Sequence, residues 1–399
     1  MGTNREAMSE TADVVVIGGG VMGASIAFHL AQRRAGKVLL LEKSYLGAAS
    51  SGKSGAIIRQ YYSHELLASM AGLGLRIYRD FPNVVGGPPV FTHSGMVVVA
   101  DAAGRAQMEA NVAMLGRLGV DAKMLAPVDL QAIDPRVGMR DDEAAACEAD
   151  AGYCEALQVV ASFASAARGM GVEVREGVRV TRLVVEGRNA AGVSTSHGPI
   201  STRAVVLAAG GWSAGLARSA GVEMPVKACR TQVALFRRPC DFGAAHPVYG
   251  DMTNQIYFRP THGEMTHVGN VDPREENSSV DPDRYSEVAE ADFAEEMRAK
   301  VQRRYPALSR GIGRGGYGAL YSVTPDWQPI IDRIPGVAGG FCAVGFSGHG
   351  FKMAPAVGQL ISELVLDGRA GSFDIHPLRA SRFAEGELFG GRTFAKVMG

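Results

Sequence analysis

Residues 13–42 constrain this chain more than any other stretch of its 399 residues. Asp13 to Ile17 is a short β-branched run. Gly18-Gly19-Gly20 breaks it, and Ala24 to Arg33 then has helical periodicity, with Ile26, Ala27 and Leu30 on one face. Lys37 to Leu41 reads as a second buried strand, ending at Glu42. The pattern Gly18-x-Gly20-x-x-Gly23 thus stands where a strand gives way to a helix inside a βαβ unit. Gly18 permits the tight turn, Gly20 lets backbone approach a pyrophosphate, and Gly23 lets helix and strand pack closely. The helix start, with Val21 and Met22, offers free N–H groups and the positive end of the helix dipole to phosphates. Glu42 follows Gly18 by 24 residues, where an acid binds ribose hydroxyls and repels a 2′-phosphate. A glycine-rich turn without a ligand is the bland alternative. Strand, helix and acid in register favour the nucleotide, with FAD and NAD both open.

The rest of the chain alternates helices with parallel-type and meander-type strands, which predicts α/β mixed with α+β. Helices are expected at Leu66 to Phe81, Gln107 to Leu118, Ala156 to Met170, Ala289 to Tyr305 and Met353 to Leu366. A strand is expected at Thr92 to Ala100, and several more between Val172 and Val206. Val226 to Val271 reads as strands broken by turns at Pro239, Gly250 and Pro260, followed by an exposed loop from Asp272 to Arg284. Basic and acidic residues balance at 41 each, which gives no footprint for nucleic acid or an anionic membrane. The polar first residues lack the apolar core of a signal peptide, and no stretch reaches the roughly 20 apolar residues of a membrane span. The five cysteines include no C-x-x-C pair, which argues against a disulfide framework and suits a reducing compartment. A cytoplasmic protein is the expectation.

Three blocks then carry a resemblance. Residues 13–43, Ala204 to Trp212, and Thr324 to Asp332 followed by Gly345 to Gly358 (GFSGHGFKMAPAVG) resemble, in the same order, the D-amino-acid-oxidase-type FAD oxidoreductases. The likeness is greatest to the branch of sarcosine oxidase β subunits and of dimethylglycine, proline and opine dehydrogenases or oxidases. The resemblance implies a Rossmann-type FAD-binding domain with a mixed antiparallel-sheet substrate domain. Segments 1–88, 152–218 and 318–375 would form the first, and 89–151 and 219–317 the second. Segment 376–399 would be a polar C-terminal tail outside the core. FAD would be held by Gly18, Gly20, Val21, Met22, Gly23, Glu42 and Lys43, and by Ser50, Ser51, Gly52 and Ser54 of the small-residue loop. Val180, Ala209, Gly210 and Trp212 would add to it. The turn Gly345, Phe346, Ser347, Gly348, His349 and Gly350, with Lys352, would bring backbone up to the flavin ring. The next helix would aim its positive end at that ring.

By the same resemblance Lys352 and Arg59 bind a substrate carboxylate, and Tyr62 is an active-site tyrosine. A guanidinium holds a carboxylate through two parallel hydrogen bonds, and an ammonium adds a point charge. Arg259 is a weaker candidate, with an edge-strand charge as its alternative, and Tyr257 is either pocket wall or core. His267 falls where sarcosine oxidases carry an oxygen-activating lysine. A neutral histidine supplies less charge, so the acceptor is oxygen or, given His267, a quinone, electron-transfer protein or partner subunit. A strand-capping histidine is the equal alternative. Ala319 replaces the flavin-tethering cysteine of a C-x-Y-x-x-T-P-D stretch, so FAD is expected to be non-covalent. The expected chemistry is oxidation of a small-molecule secondary amine or N-substituted amino acid. A 2-hydroxy-acid dehydrogenase and a non-catalytic assembly flavoprotein are the rivals, and hetero-oligomeric partners are possible.

Overall fold

A computed structural model describes residues 10–271 and 278–390. Its centre is a six-stranded sheet in the order Glu173–Arg175, Val38–Leu41, Val14–Ile17, Ala204–Leu207, Gly340–Val344 and Ile330–Arg333, parallel except for the last strand. Both faces are covered, which explains the uninterrupted apolar runs of its inner strands. Val14, Val16, Val38 and Leu40 face helices, including Val21–Gln32, Ala156–Gly169 and Ala354–Leu366. Val15, Ile17, Leu39 and Leu41 face a four-stranded sheet containing Leu183, Val193 and Ile200. The chain leaves Val14–Ile17 toward Val38–Leu41 on one side, and Ala204–Leu207 enters on the other. Such a reversal of strand order opens a crevice at the carboxyl ends of the strands.

A second, eight-stranded sheet runs in the order Ile312–Val323, Lys227–Arg237, Met265–Asn270, Ile256–Thr261, Val248–Asp251, Met96–Ala100, Ala144–Glu148 and Ala122–Leu125. It is antiparallel apart from the pairing of Val248–Asp251 with Met96–Ala100. Helix Ala291–Arg304 packs on it through Met297 and Val301. At the end of that helix the guanidinium of Arg304 is buried between Glu143 and Asp251, with every contact at 2.8–3.1 Å. The fold is thus α/β joined to α+β, a Rossmann-type nucleotide-binding layer beside a mixed sheet.

Several expectations are corrected. Thr92 to Ala100 is two strands, Phe91–His93 and Met96–Ala100, in different sheets, because Gly95 turns the chain at φ +67°. Gly250 and Pro260 lie inside strands rather than in turns. Pro260 is tolerated because Val248–Asp251 pairs no further than Phe258, which leaves Pro260 a neighbour on one side only. Part of the loop expected from Asp272 falls outside the described residues.

Segment 376–390 is also not a loose tail. Arg382 and Leu378 are fully buried. The Arg382 guanidinium donates to both carboxylate oxygens of Asp326 at 2.8 and 3.0 Å, and to the Gln328 carbonyl at 2.8 Å. Paired in this way, a charged residue can enter a core from which polar composition alone would exclude it. Removing one partner of such a pair strands the other. Arg382→Ala is therefore expected to cost about 3–5 kcal/mol of unfolding free energy, measurable by denaturant titration, with a loss below about 1 kcal/mol as the contrary result.

Candidate active site

A cavity of about 900 Å³ opens at the crevice and runs between the two large sheets. At one end it is lined by Gly18, Gly20, Val21, Met22, Glu42, Lys43, Ser50, Ser51, Ser54, Val180, Ala209, Gly210 and Trp212. Gly23 and Gly52 are off the wall. Gly23 acts through packing, since a Cβ there would lie 1.8 Å from the Gly18 carbonyl oxygen. Gly52 is also a packing position, where a Cβ would lie 2.4 Å from the Gly47 carbonyl oxygen. The Glu42 carboxylate accepts from the Gly19 N–H at 2.7 Å and from the Ser44 N–H at 2.8 Å, which fixes it at the strand end with lone pairs to spare for hydroxyls. Ser51 Oγ accepts from the Val21 N–H at 2.9 Å and so ties the loop to the helix start.

This end is roofed by a segment the sequence reading missed. Asp283 accepts from Lys43 Nζ at 2.7 Å, from Trp212 Nε1 at 3.0 Å and from Arg179 at 3.3 Å, while Lys43 sits 3.5 Å above the Trp212 ring. Asp283 is held down to about 2, most strongly by Lys43 and Trp212 acting against its partial burial. Lys53 adds an ion pair to Glu287 at 2.9 Å. Asp283 lies in a charged, proline-containing stretch that reads from sequence as exposed loop.

The other end is formed by Gly345 to Lys352, Gly55 to Ile57, Arg59, Met96, Tyr257 and Tyr321. Gly348 takes φ +87° and abuts the Tyr321 ring, where a Cβ would lie 2.7 Å from it. Two cations reach the wall here. Lys352 is 5 % exposed and donates to the His349 carbonyl at 3.0 Å. Arg59 is 3 % exposed and lies 4.4 Å above the Tyr62 ring, with a hydrogen bond to the Tyr61 carbonyl. Burial, then the neighbouring Arg59, pushes the Lys352 ammonium well below its ordinary range. Tyr62 itself is a correction. It lies behind Arg59, fully buried, and backs the guanidinium instead of facing the cavity.

His349 is also on the wall, but its ring is committed. Nε2 is 2.9 Å from the Trp327 carbonyl, which assigns the proton to that nitrogen, and Nδ1 is 3.3 Å from the Tyr62 hydroxyl. Burial and then Lys352 push it down to about 3, so it is neutral. His267 and Arg259 are paired across adjacent strands and lie off the wall, whereas Tyr257, two residues before Arg259 on the same strand, reaches it. His267 Nε2 and Nδ1 are each 3.5 Å from a tyrosine hydroxyl, of Tyr257 and Tyr317. Burial, then Arg259, keeps His267 neutral. Arg259 stacks 4.5 Å above the Tyr153 ring.

A cavity with a glycine-rich strand-to-helix turn and an acid at a strand end on one side, and cations around a second glycine turn at the other, fits a dinucleotide-dependent oxidoreductase. Residues 13–364 match the model of the family of FAD-dependent oxidoreductases, and the chain belongs to that family. It is 30% identical over 422 residues to a Bos taurus FAD-dependent oxidoreductase domain-containing protein 1, covering 95% of this chain and 86% of the relative. It is 26% identical to the sarcosine oxidase subunit beta of an Arthrobacter species, over 94% of this chain and 92% of the relative. Among solved structures it is similar to L-proline dehydrogenase from P. horikoshii, with a TM-score of 0.87 and 26% identity over 95% of this chain and 99% of that one. The cofactor is FAD, and the residues fit it. The adenosine and pyrophosphate would meet Glu42 and the 18–23 turn, and the ring would meet Gly345–Gly350.

Among the described residues no cysteine lines the cavity, and the one histidine on its wall, His349, has Nε2 engaged. Ala319 lines it where a thiol could have tethered the ring. Trichloroacetic acid precipitation of the flavin-loaded protein is expected to leave the yellow colour in the supernatant. A coloured pellet would mean a covalent bond.

Proposed function

We propose that this enzyme oxidises a secondary amine or N-substituted amino acid of the sarcosine, glycine, proline or opine kind. The observation that carries the reading is the pair of buried cations, Arg59 and Lys352, on the wall of the flavin end. A guanidinium beside an ammonium suits a substrate carboxylate, which takes two parallel hydrogen bonds from the first and a point charge from the second. Bound FAD supplies the hydride acceptor. Arg59 and Lys352 fix the carboxylate and hence the position of the C–H bond, and Tyr62 holds Arg59 from behind. Met96, Ile57, Tyr257 and Phe351 wall the chamber with apolar surface and limit water. Orientation of this kind is a large share of catalysis.

Amine oxidation asks for no protein base once the nitrogen is neutral, whereas a hydroxy acid asks for one. His349 is spent on Trp327 and His267 is off the wall, which favours the amine. The neutral His267 supports a quinone, an electron-transfer protein or a partner subunit as acceptor over oxygen. The relative described as a subunit supports hetero-oligomeric partners.

Anaerobic mixing with N-alkyl amino acids, 2-hydroxy acids and buffer tests the reading. Bleaching of the flavin by the amines alone is expected. Bleaching by hydroxy acids, or by nothing, would overturn it. Lys352→Met is expected to lower kcat/KM by about 2–5 kcal/mol, roughly 30-fold or more. The pH profile follows from the lowered ammonium. Activity rises with pH as the substrate nitrogen loses its proton, then falls as Lys352 loses its own, well below the 10.5 of an ordinary lysine. Lys352→Met is expected to abolish that descending limb.

A further inference from the structure

Glu148 ends the strand Ala144–Glu148 of the eight-stranded sheet and is 2 % exposed. Its carboxylate accepts from the Gln60 N–H at 2.8 and 2.9 Å and from the Tyr61 N–H at 2.8 Å. Those two amides directly follow Arg59 and precede Tyr62. The segment carrying the substrate cation is therefore held by an acid reaching across from the other sheet.

The charge matters as well as the geometry. Arg59 and Lys352 are both buried, and a buried cation without a counter-charge gives up its proton or moves to water. Among the described residues, the titratable and charged groups that act on the Lys352 ammonium are Arg59 and Tyr62 from the loop, His349 from the glycine turn, and Glu148 from the strand. Of these, Tyr62 and His349 are neutral and Arg59 is positive, so Glu148 supplies the negative charge. Glu148 itself is pushed up to about 7, chiefly by burial and against the pull of the Gln60 amide and Arg59.

We propose that Glu148 is a positioning residue for the substrate carboxylate: it clamps the loop of Arg59 through the Gln60 and Tyr61 amides and supplies the buried counter-charge that keeps Lys352 protonated. This rests on the carboxylate reading of Arg59 and Lys352. With Glu148 ionised the cluster carries one net positive charge, matched to one carboxylate. Without it, one of the two cations is surplus, and the ammonium is the one able to shed a proton.

The test titrates the flavin-loaded protein with acetate and with benzoate across a range of pH, read by flavin absorbance. FAD affinity is measured in parallel by fluorescence. Glu148→Gln keeps the shape, retains one acceptor oxygen and removes the charge. It is expected to weaken carboxylate binding at least roughly 10-fold at neutral pH and to move the loss of binding to lower pH, while FAD affinity stays within about twofold. Glu148→Asp keeps the charge and draws it back from the amides. An intermediate loss of about 3-fold is expected. Wild-type affinities and pH profile in Glu148→Gln would overturn the proposal. If that variant does not retain flavin, wild-type binding in Glu148→Asp would overturn it equally. Failure of the wild-type protein to bind either carboxylate is a different outcome: it defeats the carboxylate reading of Arg59 and Lys352.

Discussion

The contact between Gly23 and the Gly18 carbonyl sets the rest of the molecule. There is no room for even a methyl group between them, so the helix starting at Val21 lies hard against the strand ending at Ile17. That closeness points the first helical N–H groups into the crevice, where the strand order reverses. It also draws that helix into the layer where the helix after the second glycine turn packs, with Ser25 Oγ donating to the Ala354 carbonyl at 2.8 Å. The two turns that face the cavity are thereby held by one helix pair.

At the opposite end the governing cost is electrostatic. Three ionisable side chains, Arg59, Lys352 and Glu148, are each 5 % exposed or less and come from three separate parts of the chain. Each is anchored on backbone: the Tyr61 carbonyl, the His349 carbonyl, and the Gln60 and Tyr61 amides. In the Arg304 cluster, by contrast, the guanidinium is held by the carboxylates of Glu143 and Asp251. That arrangement ties the end of helix Ala291–Arg304 to the sheet.

What the sequence conveys follows from the range over which each signal acts. The turn at 18–23, Glu42 and the Gly345–Lys352 block are local patterns whose physics is complete within a few residues, and they line the cavity. Glu148 closes an alanine-rich strand and is indistinguishable in sequence from a surface acid. Its meaning comes from the amides of residues 60 and 61, 88 and 87 positions away. Arg382 and Asp283 likewise read as solvated charges until their partners, Asp326 and Lys43, are in place. Tyr62 fails for the opposite reason. Its position in a motif is right, but the motif does not say which side of Arg59 the ring occupies.

Strand Gly340–Val344 pairs directly with Ala204–Leu207, which pairs with Val14–Ile17. The middle of the central sheet is therefore completed by a strand that leaves the ribosome long after those two. About 320 residues separate Gly23 from Gly345, so at about 5–20 residues per second the N-terminal half of the nucleotide cradle waits some tens of seconds for its other wall. The cofactor can be gripped at both ends only once residues 345–350 have been made. A chain stopped before residue 340 would carry an intact Gly-x-Gly-x-x-Gly turn and still have no enclosed place for a flavin.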